Sequence, residues 1–236
     1  MIDDQFAPLS DEIIKAIESV GGNSPMFVLN THFHGDHTGG NENFRREGAV
    51  LVAHHNVRSR LATQQYNTLL KRSTPASVEA ALPVVTYEYN IRFHWNTDIL
   101  QLTHLPQAHT DGDTIVHFKN ANVIHTGDIV FNGRFPFIDI DAGGTIRGMI
   151  AATRTLLEIA NIETVIIPGH GELMTQQDLN AYLAMLEVSV DRISHLKAGG
   201  KSREEIVAAQ PMADHEHLSW AFINTDTWVG LVFDSL

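Results

Sequence analysis

The chain has 236 residues, 43% of them hydrophobic, enough for one large domain with an ordinary buried core. Its 28 acidic against 16 basic residues give a formal net charge of -12, and no run of lysine and arginine offers a footprint for phosphate backbones, so nucleic acid is not an expected partner. Cysteine is absent, which removes disulfides, thiolate nucleophiles and thiolate metal ligands together, and no stretch of 18 apolar residues exists to span a membrane.

The first residues lack the basic-then-apolar layout of a secretory signal, which leaves a cytoplasmic or a periplasmic location equally compatible. Ser10 is placed to cap a helix through about Val20, with Ile13, Ile14, Ile17 and Val20 on one side and Gly21-Gly22 stopping it. Residues 26–30 read as a short apolar strand that delivers the chain into His32-Phe33-His34-Gly35-Asp36-His37. In an extended segment side chains alternate, so His32, His34 and Asp36 share one face, and a sharp turn at Gly35 brings His37 round to join them. One short loop then reaches two neighbouring metal ions. Neutral imidazole is the commonest metal ligand, and carboxylates complete sites of the zinc, iron or manganese type.

Residues 41–47 look helical, 49–53 form a buried strand, and 56–65 are again helical. The period then changes. Residues 84–89, 91–95, 99–105, 114–118 and 122–125 read as short strands joined by turn signals, an antiparallel meander. Residues 145–160 return to a helical pattern, 164–167 give one more strand, and Pro168-Gly169-His170-Gly171 ends it in a tight loop. A long helix over 175–197 and a capping-box start at Ser202 and Glu205 make 175–236 a mainly helical covering segment of a single domain, 1–236. Strands in two groups with helices before, between and after them point to sheets covered by helices.

Three further polar loops carry metal-ligating residue types: Ala108-His109-Thr110, Thr126-Gly127-Asp128 and Pro168-Gly169-His170. Each follows or flanks an expected strand, as the histidine loop does, so one sheet edge can gather them all. Glycine beside a ligand lets the backbone pass close to a bulky ion.

In this order the residues resemble the metallo-beta-lactamase fold superfamily, whose signature is His-x-His-x-Asp-His followed by a distant His, Asp and His; the match runs from His32 through His170. The resemblance implies an α/β fold, an alpha-beta-beta-alpha sandwich with the site at the edge between its two sheets. It implies that His32, His34 and His109 hold one metal, that Asp36, His37 and His170 hold the other, and that Asp128 bridges them. The metals expected are two zinc ions, with iron or manganese as substitutes. Zinc lowers the pKa of its bound water from about 15.7 to about 7, so hydroxide becomes available at neutral pH. Two dications less two aspartates and one hydroxide leave a formal charge of about +1, which favours anionic substrates locally. Asp36 is the expected catalytic residue beyond ligation, holding the hydroxide's proton and passing it to the leaving group.

The absent cysteine excludes the thiolate-ligated subclasses, and Asp128 matches the glyoxalase-II-like ligand set, as does Thr126-Gly127-Asp128-Ile129-Val130-Phe131 with Gly133-Arg134. No basic cluster for a glutathione thioester follows His170. Asp4-Gln5-Phe6-Ala7-Pro8-Leu9 and Phe131-Asn132-Gly133-Arg134-Phe135-Pro136-Phe137-Ile138-Asp139 are similar to a group of bacterial hydrolases of this superfamily. The expected activity is hydrolysis of an ester, thioester, lactone or lactam in a small molecule. The rival is a mononuclear iron oxidoreductase of the sulfur dioxygenase type, using His32, His34 and His109. Members normally begin with strands ahead of the Asp4 segment, so Met1 to Asp3 read as the stump of a strand. The first sheet then presents an edge that a partner chain, as in an oligomer, can cover.

Thr31, Thr110 and Asp113 are candidates to orient ligands. Phe131, Asn132 and Arg134 are candidates for the substrate mouth, with Arg134 either binding a carboxylate or pairing with Asp139 or Asp141. His54, His55, His94, His104, His117, His125, His195, His215 and His217 lack ligand spacing and are read as structural or solvated. Trp95, Trp220 and Trp228 are read as packing anchors.

Overall fold

A computed structural model describes residues 1–236. In chain order the helices and strands are α1 (Ser10–Ser19), β1 (Phe27–Asn30), α2 (Gly35–Thr38), α3 (Asn41–Arg46), β2 (Val50–His54), α4 (His55–Leu61), β3 (Gln65–Asn67) and β4 (Arg72–Thr74). They continue with β5 (Val85–Tyr87), β6 (Asn90–Trp95), β7 (Asp98–His104), β8 (Thr114–Phe118), β9 (Val123–His125) and α5 (Ile146–Ile159). The chain ends with β10 (Val165–Ile167), α6 (Gln176–Ala198), α7 (Arg203–Ala208) and α8 (Thr225–Ser235). No helix is long and apolar enough to cross a membrane.

Period-two alternation sorts the side chains into layers. On β2, Val52 and the partly buried Val50 meet Leu102 and Val116 of the other sheet, while Leu51 and Ala53 turn outward to Phe44 of α3 and to Val57 and Leu61 of α4. On β8, Val116 faces the first sheet and Ile115 faces α5, α6 and α8 in the largest core cluster. The result is helix, sheet, sheet, helix, the expected alpha-beta-beta-alpha sandwich. The outer helical layer is anchored by Trp228, fully buried and stacked on Phe135 with ring centroids 5.4 Å apart.

One sheet has the order β1-β2-β5 and the other β10-β9-β8-β7-β6. Four strands, β6 to β9, form the antiparallel meander, and β10 joins β9 in parallel. The expected fifth meander strand is a correction: β5 pairs in parallel with β2, Val85 against Val52, and so belongs to the first sheet. Of β5 only Tyr87 is buried, so its local pattern did not name its partner. Ile2 makes a single parallel bridge to Leu29 on the opposite edge of β1.

Further differences are local. Ser10 is the first residue of α1 rather than its cap, and its hydroxyl accepts from Asn43 Nδ2 at 3.0 Å. Val20 is solvent-exposed at the end of that helix. The hairpin of β3 and β4 replaces the last part of the expected helix over 56–65 and a stretch that carried no pattern. The capping boxes at Thr175 with Asp178 and at Ser202 with Glu205 both form.

Because β8 returns antiparallel between them, β7 and β9 run the same way, and β10 follows β9. Their C-terminal ends therefore lie on one edge. The backbone N–H of Thr114, at the start of β8, donates to Thr31 O at 2.9 Å, which brings the end of β1 to that edge as well.

Candidate metal centre

The four loops beyond β1, β7, β9 and β10 meet at this edge. The histidine loop is not extended throughout: His34 is the extended residue capping the helical turn of α2, so Asp36 and His37 leave from a helix. This corrects the expected sharing of one face by His32, His34 and Asp36. Instead His32, His34, His109 and Asp128 form one group of potential ligand atoms, and Asp36, His37 and His170 form a second, each within 4.8 Å.

In the first group His34 Nδ1 lies 3.1 Å from His32 Nε2 and 2.9 Å from His109 Nε2. Asp128 Oδ2 is 3.9 Å from His32 Nε2 and 3.7 Å from His109 Nε2. In the second, Asp36 Oδ2 lies 3.5 Å from His37 Nε2 and 3.4 Å from His170 Nε2. Asp128 touches this group too, with Oδ1 at 3.1 Å from His37 Nε2 and Oδ2 at 3.3 Å from His170 Nε2. It thus stands between the two.

The other nitrogen of each ring in the histidine loop, and that of His109, is already engaged. His109 Nδ1–H donates to Phe137 O at 2.8 Å, His34 Nε2–H to Asp139 Oδ2 at 2.8 Å, and His37 Nδ1–H to Asp3 Oδ2 at 2.7 Å. Thr31 donates its hydroxyl to Asp3 Oδ2 at 2.8 Å, which leaves its oxygen to accept from His32 Nδ1 at 3.1 Å. These partners fix the tautomers. In the neutral ring each inward nitrogen then carries a lone pair and no proton. Lone pairs facing at 2.9 to 3.1 Å repel unless a cation lies between them.

Two buried atoms confirm that protein partners do not complete the cluster. His37 Nε2 and Asp128 Oδ1 have none, although they lie 3.1 Å apart, because their geometry is misdirected for a hydrogen bond. Gly169 leaves the room they need: a Cβ there would fall 2.0 Å from Asp128 Oδ1. An all-nitrogen-and-oxygen donor set of this kind fits divalent transition metals.

Charge follows the same division. Burial and the neighbouring histidines hold His32 well below the ordinary imidazole range, and burial brings His109 down to about 4. Burial works against ionisation of Asp128, but the imidazoles packed around it, His37 foremost, outweigh it and lower its pKa. Asp36 is likewise held ionised, burial being outweighed by the close approach of His170 Nε2 at 3.4 Å and His37 Nε2 at 3.5 Å. The carboxylates of Asp128 at 3.3 Å and Asp36 at 3.4 Å raise His170 to about 9.

The family described as the metallo-beta-lactamase superfamily matches residues 6–171. The chain belongs to the metallo-beta-lactamase superfamily. It is 27% identical over 170 residues to a probable metallo-hydrolase, YqgX, of Bacillus subtilis, covering 69% of this chain and 77% of that protein. It is also 27% identical over 173 residues to the hydroxyacylglutathione hydrolase GloC of Haemophilus influenzae, covering 70% and 77%. The solved metallo-beta-lactamase from Pontibacter korlensis has the same fold, with a TM-score of 0.63 at 19% identity over 79% of this chain and 81% of that one. This member of the metallo-beta-lactamase superfamily is accordingly a metal-dependent hydrolase.

Among the orienting candidates, Thr31 takes part, whereas Thr110 and Asp113 bond to one another, from N–H and hydroxyl, both at 2.7 Å, and close their own turn. The partners of His34 and His37, Asp139 and Asp3, were not anticipated; an acid separated from its ligand by tens of residues leaves no local signal. Arg134 pairs with neither Asp139 nor Asp141; its guanidinium lies 5.2 Å from the Trp220 ring centroid. With Asn132 it lines a second cavity against α6.

A cavity of about 450 Å³ opens over the centre, with Asp36, Asp128 and His170 in its lining. Phe131 lines it as expected, stacked on His170 with centroids 5.0 Å apart. Trp220 packs against the main core as expected and also stands in the cavity wall, holding its place by an N–H donated to Phe135 O at 3.0 Å. The nine remaining histidines stay outside both ligand groups.

Proposed function

We propose that this superfamily member is a dinuclear zinc hydrolase that opens a carbonyl-centred bond, an ester, thioester, lactone or lactam, in a small molecule. The observation that carries this reading is that the outer partners of His32, His34, His37 and His109 leave each ring's other nitrogen facing inward as a donor, flanked by two ionised aspartates. His32, His34 and His109 would hold one ion and Asp36, His37 and His170 the other, with Asp128 within reach of both. Bound there, the ions supply an ionised water nucleophile at neutral pH and polarise the carbonyl under attack.

The protein's own groups do the rest. Asp139, Asp3, Thr31 and the Phe137 carbonyl hold the rings in position, so little reorganisation accompanies reaction. Asp36 is part exposed at the cavity floor and ionised, so it accepts the proton of the attacking water and returns it to the leaving group. Phe131, Phe137 and Trp220 exclude bulk water from one side and give an apolar body a surface to lie on. The hydroxyacylglutathione hydrolase relative supports a thioester among the bonds considered.

Metal analysis of the purified protein combined with a panel of nitrocefin, simple lactones and thioesters tests the proposal. About two zinc ions per chain and turnover of at least one class are expected. One iron per chain with oxygen consumption on a thiol substrate favours the dioxygenase reading instead. No turnover on any class with metal fully loaded overturns the hydrolase mechanism.

A further inference from the structure

The hairpin of β3 and β4 contributes Tyr66, Leu70 and Arg72 to the cavity that Asp36, Asp128 and His170 floor. It is fastened in place. Thr68 donates its backbone N–H and its hydroxyl to Asp141 at 2.6 and 2.9 Å, and Arg60 Nη1 donates to Gln65 Oε1 at 3.0 Å. Asp141 sits two residues beyond Asp139, so the turn that steadies His34 also steadies this hairpin.

Two guanidinium groups line the cavity, and they differ in commitment. Arg60 is a fork on Asp111, with Nε and Nη2 at 2.8 and 2.7 Å. Arg72 is exposed and its guanidinium has no hydrogen-bond or ion-pair partner in the chain, and the register sets it opposite Asn67, which carries no charge. The acids nearby are already engaged: Asp139 with His34, Asp141 with Thr68, Asp36 and Asp128 in the metal centre. The remaining wall is aromatic, from Phe33, Phe131, Phe137, Trp220 and Phe222. The cavity therefore offers an apolar bed, a reactive floor and one unsatisfied cation at its hairpin side.

We propose that Arg72 selects the substrate: an acyl compound with a flat apolar body that lies on the aromatic wall and a carboxylate that pairs with the Arg72 guanidinium. This rests on the hydrolase reading above. Guanidinium offers a planar fork that matches a carboxylate, and both groups are already charged at neutral pH. An apolar body against aromatic rings adds area burial without orientation, whereas the ion pair fixes which end faces the metal centre.

Two measurements on the metal-loaded protein test it, each with wild type, R72A and R72K. By calorimetry, 2-naphthoate is expected to bind wild type at least five times more tightly than R72A, with R72K between them, while the neutral isostere 2-naphthamide binds all three alike. In kinetics, 4-acetoxybenzoate is expected to outrun 4-acetoxybenzamide in kcat/KM on wild type. R72A should lose that preference through KM with kcat little changed. Naphthoate binding equally to wild type and R72A overturns the role of Arg72. If wild type hydrolyses neither ester, calorimetry alone decides the assignment, and the wider panel above decides the hydrolase reading. Arg72 is exposed, so an unchanged melting temperature is expected for both variants.

Discussion

His34 donates its Nε2–H to Asp139 Oδ2 at 2.8 Å, joining residues 105 positions apart and turning the other nitrogen of the ring, Nδ1, toward His32 and His109. Asp3 does the same for His37 at 2.7 Å, from a segment ahead of the residues that match the family. Both carboxylates are more than nine-tenths buried, so neither contact is a casual surface pair. They decide which nitrogen each ring can offer to a metal.

Asp139→Ala should therefore weaken metal binding by about 10- to 100-fold, with a matching fall in activity at limiting metal. Competition against a chelator of known affinity measures it, with circular dichroism to show that the fold persists. Asp3→Ala should act in the same direction on the ion held by His37. Undiminished affinity in both variants would remove the orienting role.

Asp128→Ala and His109→Ala should abolish hydrolysis while leaving most of the fold in place, since each deletes a shared or buried donor to the metal centre. Asp36→Asn should retain more of the metal yet lose about 10²- to 10⁴-fold in kcat, the usual cost of removing a general acid–base group. Metal content and steady-state turnover, taken on the same preparations, separate the two effects.

Gly169→Ala should damage the centre without touching a ligand. Its Cβ would lie 2.0 Å from Asp128 Oδ1 and 2.8 Å from the Gly127 carbonyl, and Gly127 is backbone that cannot swing away. A loss of about 1–3 kcal/mol in stability, as for overpacking elsewhere, and reduced metal content are expected. Denaturant melts and metal analysis check both.

His54 and His104 give a pH dependence of stability. Their rings stack at 3.7 Å and 13°; His54 donates to Glu88 O at 2.8 Å and His104 to Asp113 O at 3.0 Å. Burial lowers both pKa values, and the charge of His104 lowers that of His54 further. The folded state thus prefers neutral rings, whereas the unfolded chain takes up protons at about 6.5. Their contribution is complete above that value and is lost as pH falls below it. Denaturation midpoints measured from pH 8 to pH 5 should fall less steeply for His104→Gln than for wild type.

Much of the architecture was legible because burial imposes a period. The helices over 10–19, 41–46, 146–159 and 176–198 and the strands around 27–30, 50–54 and 114–118 each show it locally. β5 did not reveal its sheet, since of its three residues only Tyr87 is buried and no period is imposed. The hairpin that brings Arg72 to the cavity escaped notice because β4 is exposed throughout and β3 only partly buried, so no face of it is sorted by polarity. Trp220 was read as packing because a lone indole looks the same beside a core or beside a cavity.

The sequence by itself determined the donor chemistry: a ligand's usefulness lies in its side-chain type, and His32, His34, Asp36, His37, His109, Asp128 and His170 carry that wherever they stand. Their division into two groups was implied by the family resemblance; tertiary structure alone decided how closely the ligand atoms approach and which nitrogen each ring presents. Those outcomes depend on hydrogen-bond partners such as Asp3 and Asp139, and on strands whose parallel return brings distant loops to one edge. Distances through space of this kind are set by packing, and no spacing along the chain encodes them.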